Sequence, residues 1–399
     1  MQKFIQNIKG DRSIWAVVAL LALFSFLPVY SASSNLAYLY GDGNTLQFLI
    51  KHLAHLTLGF VILFGVHRIP YHYFKGLSMI ALPIMMILLV LTLAQGTTIE
   101  GANAARWIKL PVVGVTFQTS SLASVVLLVY VARYMARIKE EQVSFKQTIW
   151  PLWIPVFLVI GLILPANLST ALLIFVMVIM LVFVGGHPIK YIASILGVGL
   201  LSLTLFILSA KAFPGLFPNR VDTWTSRIES FFTDEIDTKE KDYQITQANI
   251  AIATGGMMGL GPGKSIQKNF LPQSSSDFIY AIIIEEFGLV GGLSLLFFYL
   301  FLLFRLVVLV YKTSDYFGRL LVIGLGVPLL FQAFINMGVA VSLFPVTGQT
   351  LPLISSGGTS IWTTCVALGV ILSVSAHRKD QIGSNEHSSN PLDILSETI

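Results

Sequence analysis

The sequence predicts an all-α integral membrane protein, a bundle of about ten transmembrane helices. Hydrophobic residues make up 55% of its 399 residues and charged residues only 11%, whereas soluble domains usually carry about 25% charged residues. Several apolar runs also reach the roughly 20 residues with which a helix spans a bilayer. Most of the protein surface is therefore expected to face lipid.

The apolar runs divide into ten predicted spans. They lie near residues 14–32, 46–66, 77–95, 120–138, 149–165, 168–184, 189–212, 278–310, 320–343 and 358–376. Only Pro165, Ala166 and Asn167 separate the fifth span from the sixth. The eighth span is long enough to tilt strongly or to project beyond the bilayer. The first lacks a small-residue cleavage site, so it is expected to remain in the mature protein.

Charge and cysteine content exclude some classes of function. The net charge of +5 is spread over the loops that flank the spans, so it requires no nucleic acid partner. Cys365 is the single cysteine, which excludes an internal disulfide. The sequence has no Asp-rich metal motif, and His52 and His55 lack a third ligand for zinc. No protein-bound metal or other cofactor is therefore predicted.

Lysines and arginines predict the orientation, because short cytoplasmic loops carry an excess of them. With the N-terminus in the cytoplasm, the inner side holds Lys3, Lys9, Arg12, Arg68, Lys75, Arg133, Arg137, Lys139, Lys146, Lys190, Lys312, Arg319, Arg378 and Lys379. The short outer loops hold only Arg106 and Lys109. Both termini are therefore predicted to be cytoplasmic, and a long loop at about 213–276, between the seventh and eighth spans, extracytoplasmic.

The second half of this long loop is rich in glycine, from Gly255 to Ser265. Such a run cannot form a stable helix, and it lets backbone N–H groups approach an anion closely. A cluster of surface turns is the alternative interpretation. The first half, through Tyr243, is charged and is expected to be irregular.

Three segments carry recognisable motifs. The most specific runs from Tyr243 to Gly288 and includes Gly259-Leu-Gly-Pro-Gly263-Lys-Ser265-Ile-Gln267-Lys268. The others are Gly101–Ile108, before the fourth span, and Pro345–Thr359, before the last. In order and spacing they resemble the SEDS family of FtsW, RodA and SpoVE proteins over about residues 10–378. The Ser265–Lys268 motif is more similar to FtsW than to RodA.

The sequence departs from the family pattern in the fourth span. Ser121 and Ser124 stand where the family has a glutamate and a lysine. Loss of both charges together is expected if the family pair is a buried salt bridge that can be replaced as a unit. Two smaller departures are Pro165–Ser169, in place of a proline-aspartate-leucine-glycine pattern, and Ser356, in place of a tyrosine.

The resemblance implies a peptidoglycan glycosyltransferase. Its substrate would be lipid II, a disaccharide-peptide on an undecaprenyl diphosphate carrier. The enzyme would polymerise it at the outer face of the bacterial cytoplasmic membrane, for septal wall synthesis in cell division. A class B penicillin-binding protein and other divisome proteins are the implied partners. A lipid II flippase, a RodA-type elongation polymerase and a scaffold for a transpeptidase are the alternatives.

Asp277 is the candidate general base, because it matches the catalytic aspartate of the family. It also lies where the polar loop meets the apolar eighth span. Partial desolvation at such a place raises the pKa of a carboxyl group toward the pH at which a base works best. The alternative is structural, since Ser274 to Asp277 also read as a cluster of N-cap residues.

Cations on the outer side are the candidates for binding the diphosphate. Lys268 and Arg227 come first, because their flanking sequences match the family, and Arg220, Arg106 and Lys264 follow. A solvated loop charge is the alternative for each. The polar residues predicted to complete the site are Gln267, Ser265, Thr347 and Ser355, the last two in a re-entrant turn that lines the cavity.

Three charged residues, Lys51, Glu285 and Glu286, lie inside apolar runs. Charges within a membrane normally face the bundle interior or a wet cavity. Because both spans enter from the outer side, Lys51 is expected to meet one of the glutamates. The result would be a structural ion pair or a polar floor of the catalytic cavity.

One membrane domain, residues 1–378, is predicted, followed by a polar and disordered cytoplasmic tail at 379–399. No fixed-period repeat divides the chain. A transporter would be expected to show matched halves with broken helices, which argues against the flippase.

Overall fold

The computed structural model describes residues 9–40, 45–96, 106–109, 116–139, 144–212, 240–271 and 274–388. These residues form eleven helices: α1 Arg12–Tyr40, α2 Thr45–Val66, α3 Tyr73–Gln95, α4 Thr119–Ile138, α5 Phe145–Ile163, α6 Leu168–Val184, α7 Ile189–Ala212, α8 Glu240–Gly255, α9 Ile279–Lys312, α10 Tyr316–Ala340 and α11 Gly358–Ser388. Strands β1 Trp107–Lys109 and β2 Thr116–Gln118 form an antiparallel hairpin before α4.

The predicted bundle is confirmed. Among the described residues, nine helices are long and apolar enough to cross a membrane, and α6 is a further apolar helix of 17 residues. The short break between α5 and α6 is stabilised by Asn167, whose side chain caps α6 by accepting a hydrogen bond from the Thr170 N–H at 3.2 Å. Pro151 lies in a π-helical turn of α5, Ile149–Trp153, because proline cannot donate to the helical ladder.

The centre of the bundle is formed by α10 and α11. In α11, 83% of the residues of the span are buried, whereas only 11% are buried in α7, which lies at the periphery. Helix α2 packs closely along α11, because Gly59 leaves no room for a side chain. A methyl group there would lie 2.9 Å from Cys365 Sγ. Close approach at small residues is how helices associate in lipid.

The helix ends that carry the predicted cytoplasmic charges meet at one end of the bundle. The Lys139 ammonium lies 3.8 Å from the ring centroid of Tyr316, and Lys75 lies 5.0 Å from that of Phe317. Asp11, before α1, forms a salt bridge with Arg305 of α9. These contacts join α1, α3, α4, α9 and α10 on the side that the lysine and arginine pattern predicts to be cytoplasmic.

Two predictions about irregular segments differ from the structure. Helix α8 begins at Glu240, within the half of the long loop that was expected to be irregular, and it packs against α9. Contact with α9 provides the burial that isolated short helices lack. At the other end of the chain, α11 continues to Ser388. The first ten residues of the predicted tail are therefore helical, and 389–399 lie outside the described residues.

Helix α9 is broken at Gly288, where φ is 68° and ψ is −172°. The glycine-rich run after α8 packs directly on this break. The N–H groups of Leu260 and Gly261 donate to the carbonyls of Glu285 and Glu286, both at 2.9 Å. The Leu289 N–H donates in return to the Gly256 carbonyl, also at 2.9 Å. The predicted long eighth span is therefore two helical pieces, whose free backbone groups bind the loop.

We expect Gly288→Ala to destabilise the fold. This backbone conformation is open essentially only to glycine, and other residues there cost about 1–3 kcal/mol. In addition, a methyl group would lie 2.2 Å from the Met257 carbonyl oxygen. The control is Gly161→Ala in α5, where nothing lies within 4 Å of the added carbon. Thermal unfolding in detergent should show a lowered melting temperature for Gly288→Ala alone; equal melting temperatures would contradict the proposed strain.

Candidate functional site

Asp277 lies in a turn, residues 274–278, that leads into α9. The side chain is half-buried. The capping interpretation would place Asp277 at the N-cap of α9, but the structure has Phe278 there, with no side-chain cap bond. The turn therefore holds its aspartate one residue before the N-cap of the helix, at the boundary between loop and span.

Two side chains from distant parts of the sequence fix this turn. Asn336 of α10 donates from Nδ2 to the carbonyl of Asp277 at 2.9 Å and to that of Gln349 at 2.7 Å. The Ser355 hydroxyl donates to the Ser276 carbonyl at 2.6 Å. The backbone on both sides of the carboxylate is therefore tied to α10 and to the segment before α11.

A further contact uses the residue that departs from the family pattern. The Ser356 N–H and hydroxyl both donate to the Ser275 carbonyl, at 2.8 and 3.0 Å. Ser274 donates from its hydroxyl to the carbonyl of Ala32 in α1, at 3.2 Å. The turn is thus also anchored to α1.

The segment between α10 and α11, residues 341–357, is non-helical, as the predicted re-entrant turn requires. Gln332 of α10 donates to the Thr350 carbonyl at 3.0 Å, and Tyr299 of α9 to the Pro352 carbonyl at 2.5 Å. Gly348 has a φ of 68° and lies beside the Asp277 carboxylate: a methyl group on it would be 3.5 Å from Oδ2.

A cavity of about 120 Å³ lies between α4, α6, α10, α11 and this segment. Its polar lining consists of Gln118, Ser121, Ser124, Asn167, Thr170, Gln332, Gln349, Thr350, Ser360, Thr363 and Thr364, together with Gly348. Within the described part of the chain, no charged residue lines it. The volume is enough for a few water molecules, each of which occupies about 30 Å³ in the liquid.

The two serines that replace the charged pair both line this cavity. The Ser121 hydroxyl donates to Gln118 Oε1 at 3.2 Å, and the Ser124 hydroxyl donates to the Ser121 carbonyl at 2.7 Å. Both hydroxyls are therefore satisfied within α4 and its preceding residue. With these serines in place of the charged pair, the described lining of the cavity carries no charge.

The two glutamates of α9 are fully buried. Glu285 accepts hydrogen bonds from the Ser265 hydroxyl and from the N–H groups of Ile266, at 3.0 Å, and Gln267, at 3.2 Å. A carboxylate at the start of the short 3₁₀ helix Gln267–Asn269 is stabilised by these converging N–H groups.

Glu286 accepts from the hydroxyl of Ser31 in α1 and from the Ser265 N–H, the latter at 3.2 Å. Lys268, which is half-buried, donates from Nζ to the Ser31 hydroxyl at 3.3 Å and to the Gly263 carbonyl at 2.8 Å. The Ser31 hydroxyl thus lies between a lysine and a glutamate.

The ion pair predicted between Lys51 and one of these glutamates is wrong. Lys51 is exposed on α2, and both glutamates are bound instead by hydroxyl and N–H groups. The buried polar residue of that stretch is His52, whose Nε2 lies 2.8 Å from the Ser25 hydroxyl of α1. His52 is therefore a polar residue of the bundle interior.

Several predicted site residues are buried within the protein and do not line an open site. Ser355, Ser265, Gln267 and Glu286 are all buried. The Ser355 hydroxyl binds two backbone groups, the Ser276 carbonyl and the Leu351 N–H, so direct contact with a substrate is not expected of it. Arg106, half-buried, donates from Nε to the Ala166 carbonyl at 2.9 Å.

The remaining predicted residues fall into two groups. Thr347, half-buried, adjoins Gly348 beside the Asp277 carboxylate, and Lys264 is exposed. Arg220 and Arg227 lie outside the described residues. Among the described residues, no group of three or more histidine, cysteine, aspartate or glutamate side chains is arranged to hold a metal ion.

The sequence reasoning missed three residues that hold the site together: Ser31, Gln332 and Asn336. A signal was present for the last two, which are four residues apart within an apolar span and so share one helix face. Polar side chains inside a membrane span normally face the bundle and bind across it. Ser31 gave no such signal, because serine is common in transmembrane helices.

The fold and the site define a multi-pass membrane protein with a buried polar centre under an aspartate-bearing turn. The profile of the FtsW, RodA and SpoVE family, described as a cell cycle protein, matches residues 11–380. The chain belongs to this family. Its prediction from the three motifs is thereby confirmed.

Relatives and solved structures agree with this assignment. The chain is 32% identical to the probable peptidoglycan glycosyltransferase FtsW of Nitrosomonas europaea, over 91% of this chain and 92% of that protein. It is 31% identical to the probable peptidoglycan glycosyltransferase FtsW of Geobacter sp. M18, over 94% of this chain and 99% of that protein.

The fold is similar to that of Thermus thermophilus rod shape determining protein RodA, with a TM-score of 0.64 and 25% identity over 92% of this chain and 97% of that one. It is also similar to a chain of a peptidoglycan synthase complex that coordinates polymerisation and crosslinking, with a TM-score of 0.67 and 27% identity over 92% and 98%. The predicted enzyme class, a peptidoglycan glycosyltransferase, and the location in a bacterial inner membrane are confirmed.

We expect Ser121→Glu alone to lower the yield of folded protein and its melting temperature. Its carboxylate would enter a neutral cavity without a partner, and an uncompensated buried charge typically costs about 3–5 kcal/mol. The double variant Ser121→Glu with Ser124→Lys restores the pair and should recover much of the loss. Size-exclusion profiles measure the folded yield, and thermal unfolding in detergent measures the melting temperature. An equal loss in the single and double variants would contradict the replacement of a buried salt bridge as a unit.

Proposed function

We propose that this chain polymerises lipid II into glycan strands at the outer face of the cytoplasmic membrane, with Asp277 as general base. The carrying observation is the turn 274–278, which α1, α10 and the segment before α11 hold from three sides. Such support keeps a carboxylate in one position, as general-base catalysis requires. The match of Asp277 to the catalytic aspartate of the family supports the same role.

In the proposed reaction, the Asp277 carboxylate takes the proton of the attacking sugar hydroxyl. The hydroxyl oxygen forms a bond to the anomeric carbon of the other lipid-linked sugar. The bond from that carbon to the diphosphate oxygen breaks, and the undecaprenyl diphosphate leaves with the electron pair. Attack opposite the leaving group inverts the anomeric configuration.

The departing diphosphate gains negative charge that cations must stabilise. Lys268 is the described cation that lies half-buried next to the glycine-rich run, at the end of the bundle where α9 begins. Arg227, Arg220 and Arg106 remain candidates for the same role. The exposed Lys264 is better placed to attract the substrate than to contact it.

The similarity to a chain of a peptidoglycan synthase complex supports a transpeptidase partner. We propose a class B penicillin-binding protein, acting together with other divisome proteins in septal wall synthesis. The FtsW names of the relatives favour division over elongation.

A lipid II flippase fits the structure less well. Moving a diphosphate through the bundle would require cations along its path. The cavity beside α4 and α6 is lined by apolar side chains, hydroxyls and amides, and no lysine or arginine is among its described lining residues. The charged groups of the proposed site, Asp277, Glu286 and Lys268, lie instead at the end that carries the long loop, where a polymerase needs them.

Asp277→Asn tests the proposed base. Asparagine keeps the size of the side chain but cannot accept the proton, and loss of a general base typically costs about 10²–10⁴ in rate. We expect near-normal folded yield, retained binding of the transpeptidase partner and almost no polymer from labelled lipid II, measured by gel analysis of the glycan strands.

The matched control is Asp315→Asn. Asp315 caps α10 by accepting from the Gly318 N–H at 2.9 Å, and asparagine caps comparably. This variant should polymerise like the wild type. Long strands at near wild-type rate from the Asp277→Asn protein would show that Asp277 is not the base and that another group supplies it.

The proposed orientation, with both termini cytoplasmic and the long loop outside, rests on the lysine and arginine bias. On a Cys365→Ala background, Met258→Cys in the loop and Tyr311→Cys at the end of α9 place single thiols at positions 79% and 92% exposed. An impermeant maleimide applied to cells with a permeabilised outer membrane should label the first and not the second. The reverse pattern would overturn the orientation.

A further inference from the structure

The cluster of Ser31, Glu286 and Lys268 joins three separate parts of the chain: α1, α9 and the loop between α8 and α9. One oxygen of Glu286 accepts two hydrogen bonds, but the other, Oε2, is buried without a hydrogen-bond partner. A buried carboxylate with an unsatisfied oxygen is costly unless a positive charge lies near it. Lys268 brings a positive charge near Glu286, because its ammonium and the Glu286 carboxylate bind the same Ser31 hydroxyl.

The lysine is held by two of its three possible donors. Its ammonium binds the Ser31 hydroxyl at 3.3 Å and the Gly263 carbonyl at 2.8 Å. A lysine ammonium carries three N–H groups. These contacts use two of them, and the third has no hydrogen-bond partner among the described residues. The Ser31 hydroxyl accepts from this ammonium and donates its own proton to Glu286, so it bridges the lysine and the glutamate.

The same turn of α1 also supports the aspartate. The Ala32 carbonyl, next to Ser31, accepts from the Ser274 hydroxyl at 3.2 Å, three residues before Asp277. Consecutive residues of α1 therefore anchor the lysine-bearing loop and the aspartate-bearing turn. A shift of this end of α1 would move both.

We propose that Ser31 and Glu286 are positioning residues for Lys268, which they hold with one N–H directed to a phosphate oxygen of the lipid-linked substrate. This inference rests on the proposed function, which supplies the diphosphate as ligand. A free lysine loses side-chain entropy when it binds an anion, and a lysine already held in place loses less. Ser31 would then act through Lys268 without touching the substrate itself.

A purely structural role for the cluster predicts a different outcome. In that case Ser31 and Glu286 would only fix the loop at residues 263–268, and the reactivity of the lysine and the affinity for substrate would be unrelated. The test therefore measures the lysine directly, by its rate of acylation with a water-soluble succinimidyl ester in purified protein, followed by mass spectrometry. Lys264, exposed in the same loop, is the internal reference.

We expect Lys268 to be acylated more slowly than Lys264 in the wild type. Ser31→Ala should raise the Lys268 rate several-fold and leave the Lys264 rate unchanged. It should also lower kcat/KM for lipid II about tenfold, as expected for loss of a hydrogen bond to a charged group. Ser31→Thr, which keeps the hydroxyl, should restore both values toward wild type, and Glu286→Gln should resemble Ser31→Ala.

Ser34→Ala is the matched control, because this serine lies one turn further along α1 and its hydroxyl donates only to the Ser31 carbonyl. It should change neither rate. An unchanged Lys268 rate in Ser31→Ala would overturn the inference, as would a raised rate with unchanged kcat/KM. If Glu286→Gln does not fold, the two Ser31 variants decide.

The inference and the proposed function fail in different ways. A wild-type protein that makes no polymer from lipid II would overturn the function and with it the diphosphate as ligand. The acylation rates would still decide whether Ser31 and Glu286 hold Lys268. Polymerisation by the wild type together with unresponsive acylation rates would overturn the positioning alone.

Discussion

Non-helical backbone inside a membrane protein must have its N–H and C=O groups satisfied, because lipid offers no hydrogen bonds. Two non-helical segments of the site satisfy this constraint by binding other parts of the protein. At Gly288 the break in α9 frees carbonyl and N–H groups, which bind the glycine-rich run after α8. At the start of α9, the turn 274–278 binds Asn336, Ser355 and Ser356. The segments that carry Lys268 and Asp277 owe their positions to these bonds.

The distribution of charge follows from the same constraint. The two buried glutamates of α9 are stabilised by hydroxyl and N–H groups, with Lys268 near one of them. The cavity beside α4 and α6 has no charge among its described lining residues, and the hydroxyls of Ser121 and Ser124 bind an amide and a backbone carbonyl. Removing a charged pair as a unit avoids leaving one charge unpaired. The ionisable groups of the described site are therefore concentrated at one end of the bundle.

Helix α1 connects the two charged elements of the proposed mechanism. Ser31 binds the lysine and the glutamate, and the neighbouring Ala32 carbonyl binds the turn of the aspartate. A glycosyl transfer needs its base and its cations in a fixed relation, because misplacement of either costs rate. Helix α1, which binds both segments through consecutive residues, provides this relation.

The sequence by itself determined the number and order of the spans, because the length and apolarity of each run are local properties that a bilayer selects. The motifs also identified the family and singled out Asp277, and neither inference required knowledge of tertiary contacts. Only the tertiary structure decided which way the polar residues face. Lys51 was expected in the interior and is exposed, and Ser31 and Asn336 were not foreseen at all. A span that is apolar on every side gives no signal for its rotation, since lipid and protein interior are equally apolar. The partners of these residues lie up to 255 positions away in the sequence, and folding alone brings them together.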